Sequence, residues 1–322
     1  MTKPEILLVG TMGAQLKTDL DAHFEVHMLE QQPDPQAFLA NAANNIRAIA
    51  TGGADKLPNQ VMDALPHLGI ISCYGVGYDG IDAKRAASRG VLVSHTPDVL
   101  NDEVANTTIA LLLATTRRVV AFDRYVREGR WKSEGPAPLT HGIAGKKVGI
   151  VGMGRIGQAI AEKLGVFRCE IAYHTRNPRP ELAMRHFPVL LSLAEWADVM
   201  IVITPGGAAT HHLVDRPVLD ALGSQGTLIN VARGTVIDEE ALVSALREGR
   251  LGAAGLDVFE NEPEVPQALF AMDNVVLLPH VGSATVETRA AMRKLVADNL
   301  VNWYASGKAL TPVPECRHLQ ED

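Results

Sequence analysis

Short apolar runs alternate with longer segments of helical periodicity along almost the whole chain. Such runs predict buried strands, because strands of a covered parallel sheet are nearly continuous in apolar residues. Five strands are predicted in the first third of the chain, at residues 6–10, 24–29, 46–51, 68–73 and 91–94. Six more are predicted at residues 147–151, 170–174, 199–203, 227–231, 252–256 and 275–278. Strands that alternate with helices indicate an α/β fold with parallel sheets.

The helical periodicity predicts two long helices. One covers residues 101–128, and its first turn carries Asp102 and Glu103, which suit the positive end of a helix dipole. Residues 131–145 contain two prolines and are predicted as a loop. An amphipathic helix at residues 286–304 follows the last strand, and its docking position cannot be inferred from the pattern.

Composition narrows the class of protein. A chain of 322 residues suits two domains, and a hydrophobic content of 47% with 21% charged residues is ordinary for globular proteins. The net charge of −7 argues against a nucleic-acid or anionic-membrane partner. Apolar stretches are too short for a membrane span, and no secretory signal precedes the first predicted strand. We therefore expect a cytoplasmic protein.

Cysteine usage agrees with that expectation. Cys73, Cys169 and Cys316 are odd in number and widely spaced, which suits a reducing compartment. Their spacing also matches no metal-binding motif.

A glycine-rich turn between the strand at 147–151 and the following helix is the clearest chemical signal. Gly152 permits a tight turn, Gly154 lets the backbone approach a pyrophosphate, and Gly157 allows the helix to pack closely on the sheet. The N–H groups at the start of a helix also favour an anion. The turn therefore predicts a dinucleotide-binding site.

The end of the next strand indicates which dinucleotide binds. An NAD site usually places a carboxylate there to bind the ribose 2′-hydroxyl. Here the strand at 170–174 is followed by Thr175 and Arg176, with Arg179 close behind. A hydroxyl and a guanidinium suit a 2′-phosphate, so NADP(H) is the favoured cofactor and NAD(H) stays possible.

Three ionisable residues follow later strands. Arg233, Glu262 and His280 come after the strands at 227–231, 252–256 and 275–278. Parallel sheets bind ligands at this edge, so the three side chains could converge on a nicotinamide. A cation could hold and polarise a 2-oxo acid, a histidine could protonate the alkoxide, and a carboxylate could stabilise the imidazolium. Spacing alone equally allows a surface arginine, a capping glutamate and a loop histidine.

The remaining histidines give no metal motif. His211 and His212 are adjacent, so on a helix or a strand their rings point in different directions and cannot form a zinc-binding i, i+4 pair. His95, His141 and His174 have no partner histidine or cysteine at ligand spacing. We therefore expect no metal.

The motifs together resemble the D-isomer-specific 2-hydroxyacid dehydrogenase family over nearly the whole chain. They lie at residues 74–79, 96–97 with 104–105, 152–157, 230–234, 255–263 and 279–282. Details around residues 96–100, 262–266 and 280–289 are most similar to the glyoxylate/hydroxypyruvate reductases and the plant-type hydroxyphenylpyruvate reductases.

The resemblance implies a role for each matching residue. Arg233, Glu262 and His280 match the family's catalytic residues. The implied substrate contacts are Val76, Gly77, Arg233 and Ser283. The implied cofactor contacts are Gly152, Gly154, Arg155, Ile156, Gly157, Thr175, Arg176, Thr204, Asp257, His280 and Gly282. Arg155 and Ile156 match the pyrophosphate turn, and Asp257 matches the residue that holds the nicotinamide carboxamide.

The resemblance also implies an architecture. It predicts two Rossmann-like or flavodoxin-like domains with the active site in the cleft between them. The substrate-binding domain is discontinuous, with residues 1–98 and 288–322, and the dinucleotide-binding domain covers residues 99–287. A homodimer that uses the long helix after Asn101 is implied as well.

The activity implied is NADPH-dependent reduction of a small 2-oxo acid to a D-2-hydroxy acid. Glyoxylate and hydroxypyruvate are the first choices, and phenylpyruvate and 4-hydroxyphenylpyruvate come next. Two alternatives stay open: a non-catalytic dinucleotide-sensing regulator with the same fold, and another dehydrogenase of the family, such as a phosphoglycerate dehydrogenase.

Overall fold

A computed structural model describes residues 3–10, 14–53 and 55–321. Met1 and Thr2 lie outside the described residues. They belong to the segment on which the expectation of no signal peptide is based. The chain divides into two compact units, Met1–Leu100 with Thr285–Asp322 and Asn101–Ala284. Among the described residues, no helix combines the length and the apolar character that crossing a bilayer requires.

The strands are β1 (Glu5–Val9), β2 (Glu25–Met28), β3 (Ala48–Gly52), β4 (Ile70–Tyr74), β5 (Leu92–Ser94), β6 (Lys147–Val151), β7 (Glu170–His174), β8 (Arg185–His186), β9 (Val199–Val202), β10 (Thr227–Asn230), β11 (Ala253–Leu256) and β12 (Val275–Leu277). The α-helices are α1 (Ala14–Asp21), α2 (Pro35–Ala42), α3 (Asn59–Asp63), α4 (Ala83–Ser88), α5 (Asn101–Thr116), α6 (Val119–Arg127), α7 (Arg130–Glu134), α8 (Arg155–Gly165), α9 (Leu190–Trp196), α10 (Arg216–Leu222), α11 (Glu239–Arg247) and α12 (Val286–Ser306).

The first unit contains a parallel sheet of five strands in the order β2-β1-β3-β4-β5. Every residue of β3 is buried, as expected for a strand covered on both faces. The five strands predicted for this part of the chain are confirmed, with small shifts at their ends.

Helix α12 packs on this first sheet. Its first turn is capped by the Thr285 side chain, which accepts the N–H of Thr288 at 3.1 Å. Val296 and Leu300 are fully buried in the core of the first unit. Gly69 allows the close approach of Trp303, because a Cβ at Gly69 would lie 2.1 Å from the indole ring. The helix therefore packs on β4 and covers that part of the sheet.

The second unit contains a parallel sheet of seven strands in the order β12-β11-β10-β9-β6-β7-β8. Strand β6 lies at the switch point, where the chain order reverses between β7 on one side and β9 on the other. The six strands predicted here are confirmed. The seventh strand, β8, was not predicted, because two polar residues give no apolar run. The predicted α/β class with two parallel sheets is therefore confirmed.

Two helix predictions are wrong. The helix expected at residues 101–128 is interrupted at Arg118, whose φ of 52° is left-handed, so α5 and α6 are separate helices. Just before the break, the hydroxyls of Thr115 and Thr116 donate to carbonyls one turn back, a local bond that competes with regular helix geometry. The loop expected at residues 131–145 begins with a short helix, α7.

Candidate functional site

The glycine turn lies at the switch point, between β6 and α8. Gly152 has a φ of 103°, and a Cβ there would lie 2.7 Å from the carbonyl oxygen of Ile203. A Cβ on Gly157 would lie 2.3 Å from the carbonyl oxygen of Gly152, which places the helix directly against the turn. A Cβ on Gly154 would meet nothing within 4 Å. Packing therefore requires glycine at positions 152 and 157, whereas Gly154 borders open space.

Helix α8 presents its N-terminus to that space. Gly154 is its N-cap residue and supplies no capping side chain. The N–H groups of a helix without such a cap favour an anion, as does the dipole. Ile156 lies in this first turn, directly after Arg155.

Thr204 lies on the other side of the switch point, after β9. A Cβ on Gly152 would lie 3.1 Å from the Thr204 backbone nitrogen, so the two loops are in contact. The Thr204 hydroxyl is buried and makes no hydrogen bond to the described residues. A buried hydroxyl without a partner fits a position where a bound ligand supplies one. The glycine turn, the open helix end and this hydroxyl together fit a dinucleotide.

The turn after β7 contains the three residues expected near a 2′-phosphate. Arg179 is fixed in place, since its Nη1 donates to the Met153 carbonyl at 2.8 Å and its Nε to Glu181 at 2.8 Å. Arg176 is exposed, and its side chain makes no ion pair within the described residues. Thr175 donates to the carbonyl of Asn177 at 2.6 Å. Arg176 therefore carries the positive charge that remains available to a ligand.

His280 and Glu262 form a close pair. Nδ1 of His280 lies 2.7 Å from Oε2 of Glu262, and the two side chains keep 37% and 31% of their surface exposed. The other carboxylate oxygen of Glu262 accepts the N–H of Phe259 at 3.1 Å. The pairing of Nδ1 leaves Nε2 as the ring nitrogen that can reach a reactant.

Asp257 holds the loop that carries His280. Its carboxylate oxygens accept the N–H groups of Val281 and Gly282 at 2.7 and 2.8 Å, and its backbone carbonyl accepts the N–H of His280 at 2.8 Å. His280 has a left-handed φ of 54°, so this backbone needs such support. Burial raises the pKa of Asp257, although the two N–H groups act in the opposite direction. Ser283, half-buried, follows directly in this loop.

Arg233 follows β10 on a backbone that is held from both sides. The side chain of Asn230 donates to the Arg233 carbonyl at 3.1 Å and accepts the N–H of Ala232 at 3.1 Å. The next residue, Gly234, packs directly on Phe259, because a Cβ at Gly234 would lie 1.8 Å from the Phe259 carbonyl carbon. The Arg233 loop and the loop that leads to Glu262 are therefore in backbone contact.

The electrostatics of the pair follow from its neighbours. Burial raises the pKa of Glu262, but the hydrogen bond and charge of His280 and the N–H of Phe259 outweigh burial. The charge of Arg233 lowers the pKa of Glu262 further, and the net shift is downward. The structure thus brings Arg233, Glu262 and His280, whose convergence the sequence allowed, into one electrostatic group.

Val76 and Gly77 lie in the first unit, in the loop that follows β4. The Val76 carbonyl lies 2.9 Å from Nδ1 of His95, and the Gly77 carbonyl accepts the Cys73 thiol at 3.5 Å. The N–H groups of Val76 and Gly77 donate to no acceptor among the described residues. Two neighbouring N–H groups without acceptors are suited to an anion such as a carboxylate.

One supporting contact was not predicted. The hydroxyl of Thr107 in α5 donates to the carbonyl of Gly282 at 3.2 Å, which fixes the far side of the His280 loop. Gly282 was predicted as a cofactor contact, but its hydrogen bond with Thr107 was not. The two residues are 175 positions apart in the sequence, so no local pattern indicates this bond.

Comparison with known proteins identifies the family. Residues 109–282 match the D-isomer specific 2-hydroxyacid dehydrogenase, NAD binding domain. The chain belongs to this family. The expected resemblance is thereby confirmed.

The relatives are similar over nearly their full length. A hydroxyphenylpyruvate reductase from Plectranthus scutellarioides is 46% identical, over 96% of this chain and 98% of that protein. A 2-ketogluconate reductase from Gluconobacter oxydans is 44% identical, over 97% of this chain and 99% of that protein. The solved structure of an NADPH-dependent glyoxylate/hydroxypyruvate reductase from Sinorhizobium meliloti, in complex with NADP and malonate, has a TM-score of 0.91 and 47% identity, with 98% of each chain covered.

The His280–Glu262 pair generates a prediction about pH. We expect Glu262→Gln to move the alkaline limb of the pH–rate profile for 2-oxo acid reduction to lower pH. The pKa of Glu262 is lowered, so its carboxylate places a negative charge 2.7 Å from the His280 ring. The neutral amide removes that charge, and loss of a nearby negative charge favours loss of a proton from an acid. An acid that loses its proton more readily stops acting at a lower pH.

The measurement is kcat as a function of pH with saturating NADPH and glyoxylate. Glu264→Gln is the matched control, because Glu264 is exposed and lies two residues further along the same loop. Identical profiles for wild type and Glu262→Gln would contradict the pairing.

Proposed function

We propose that this protein reduces small 2-oxo acids to D-2-hydroxy acids with NADPH, with glyoxylate and hydroxypyruvate as the first choices. The observation that carries the proposal is the 2.7 Å contact between His280 and Glu262 in a chain of the D-2-hydroxyacid dehydrogenase family. Arylpyruvates and 2-ketogluconate are further candidates, because relatives at 46% and 44% identity are named for hydroxyphenylpyruvate and 2-ketogluconate.

The proposed chemistry assigns one task to each charged side chain. Arg233 polarises the ketone, and His280 donates a proton from Nε2 to the oxygen as it gains negative charge. Glu262 binds Nδ1 of His280, which orients the ring and places a carboxylate next to the proton donor. Because the proton donor and the cation are both fixed by backbone contacts, little reorganisation is required during the reaction.

The cofactor, when bound, supplies the hydride. We propose that the N–H groups at Gly154, Arg155 and Ile156 bind its pyrophosphate. We assign three further residues to the nicotinamide end of the cofactor: Thr204, Asp257 and Gly282, whose N–H donates to Asp257. The preference for NADPH is assigned to Arg176, assisted by Thr175. The open space at Gly154 and the unpaired Thr204 hydroxyl support these assignments.

The substrate carboxylate needs N–H donors as well as a cation. We propose that Val76 and Gly77 provide them, because both N–H groups lack acceptors within the described residues. Ser283 is the proposed neighbour of the nicotinamide ring. A requirement for this carboxylate means that simple ketones should be poor substrates.

We also propose a homodimer in the cytoplasm. Apolar side chains are exposed along α6, α7 and the residues after them: Val126 is 55% exposed, Trp131 64% and Leu139 99%. Val126 and Trp131 line one surface depression, and exposed apolar surface of this kind typically marks a protein interface. The cysteines Cys73, Cys169 and Cys316 are all free, as a reducing compartment requires, and cell fractionation tests that location.

Sedimentation tests the dimer. Wild type should sediment at twice the chain mass of 34.6 kDa, and Trp131→Asp should shift it toward the monomer, because a charge is costly in an apolar interface. Val166→Asp is the control, since Val166 is 78% exposed at the end of α8 and outside this surface. A monomeric wild type would refute the dimer.

The test of the reaction combines a substrate screen with one variant. NADPH oxidation is followed with glyoxylate, hydroxypyruvate, phenylpyruvate, 4-hydroxyphenylpyruvate and 2-ketogluconate, and the product of hydroxypyruvate is resolved on a chiral column. We expect the D-hydroxy acid. His280→Ala should reduce kcat by about 10²- to 10⁴-fold with little change in NADPH affinity.

Three outcomes would overturn the assignment: the L-hydroxy acid as product, near-normal turnover in His280→Ala, or no turnover with any 2-oxo acid. The last outcome, if NADPH still binds, favours the non-catalytic dinucleotide sensor. Turnover restricted to a phosphorylated hydroxy acid favours the phosphoglycerate dehydrogenase alternative.

Cofactor preference is tested at Arg176. Hydrogen bonds to charged groups contribute roughly 1.5–3 kcal/mol, so Arg176→Ala should weaken NADPH binding by about 10- to 150-fold and leave NADH binding nearly unchanged. Arg185→Ala is the control, because Arg185 is an exposed arginine on the neighbouring strand β8. Equal losses for the two cofactors would remove Arg176 from this role.

A further inference from the structure

His211, His212 and Glu260 form a cluster outside the proposed catalytic group. The two histidine rings stack with centroids 3.9 Å apart, and Nε2 of His212 lies 3.1 Å from Oε1 of Glu260. One candidate ligand atom from each of the three residues lies within 4.8 Å of the other two. These are the donor types that first-row transition metals prefer.

The local backbone explains why adjacent histidines share one side. Divergent rings were expected, on the assumption that the pair lies on a helix or a strand. It lies instead in the turn between β9 and α10, and His212 has a left-handed φ of 49°. This conformation cancels the usual divergence of neighbouring side chains. The premise behind that expectation therefore does not hold.

The backbone of the cluster is fixed by its neighbours. The N–H of His212 donates to the carbonyl of Thr235 at 2.8 Å, and the N–H of Glu260 donates to a carboxylate oxygen of Glu239 at 3.2 Å. The hydroxyl of Thr210 closes the turn by donating to the Pro205 carbonyl at 2.7 Å. Donors from two distant parts of the chain are thus brought together before any ion binds.

We propose that His211, His212 and Glu260 bind one zinc-class divalent ion through two imidazole nitrogens and one carboxylate oxygen. Zinc–ligand distances of about 2.0–2.2 Å in a tetrahedron place neighbouring ligand atoms roughly 3.4 Å apart. Separations of up to 4.8 Å reach that value by side-chain rotation, and His211 is exposed and has room to turn. A water molecule supplies the fourth ligand.

The donor set disfavours magnesium and calcium. Magnesium and calcium prefer all-oxygen sites with several carboxylates, whereas this cluster offers two imidazoles and one carboxylate. The partial exposure of all three residues gives the ion an entry path. Zinc binding by these residues can be tested without substrate or cofactor, so the result does not depend on the proposed reaction.

The test is calorimetric titration of the full-length protein with Zn²⁺, without cofactor or substrate. We expect one ion per chain with a Kd at or below about 10 μM. His211→Ala and Glu260→Gln should each weaken binding at least about tenfold. His141→Ala is the matched control, because it removes an exposed histidine outside the cluster and should leave binding unchanged.

Two further measurements keep the result interpretable. Cobalt substituted for zinc should give the visible absorption of a tetrahedral site in wild type and in His141→Ala, but not in His211→Ala. Zinc should raise Tm in the same two proteins only. A separate melting curve of each variant without metal shows whether it folds.

Several outcomes would overturn the proposal. One is no binding by wild type at millimolar zinc, and another is equal affinity in wild type and His211→Ala. A third is loss of the ion in Glu262→Gln but not in Glu260→Gln, which would place it on the His280–Glu262 pair.

Discussion

All seven strands of the larger sheet run in the same direction, and this constraint decides where the chemistry-bearing residues lie. Parallel strands end at a common edge, and loops that follow them must emerge there. Gly152 follows β6, Thr204 follows β9 and Arg233 follows β10. Asp257 follows β11, and His280 comes after β12. The proposed reaction therefore depends on strand direction before it depends on any single contact.

Much of this architecture could be predicted from the sequence, because buried parallel strands have a strong local signal. Apolar runs located the strands of both sheets except β8, whose two polar residues carry no such signal. The break in the helix at Arg118 could not be predicted, because no glycine or proline marks it in the sequence. Arg118 lies 3.7 Å from the carboxylate of Asp273, a long-range ion pair that a local pattern does not encode.

The candidate site could be predicted less completely, since spacing names residues but not their partners. The sequence suggested that Glu262 could act on His280, but it could not fix their 2.7 Å contact or the support of the His280 loop by Asp257, because both depend on long-range contacts. The stacking of His211 on His212 was missed for a different reason. The expectation assumed a regular element, and one left-handed residue invalidated it. Resemblance to the family supplied roles that residue spacing alone had left open.

Arg176 and Arg179, the two arginines after β7, contribute differently to the fold of the nucleotide site. Arg179 braces the glycine turn through the Met153 carbonyl, so replacing it disturbs the fold of the nucleotide site. Arg176 contributes nothing to that framework and extends into solvent. Under the proposed assignment, substitution of Arg176 alone can change the preferred cofactor from NADPH to NADH, while the fold of the nucleotide site is preserved. An evolutionary change of reductant would thus encounter almost no stability barrier here.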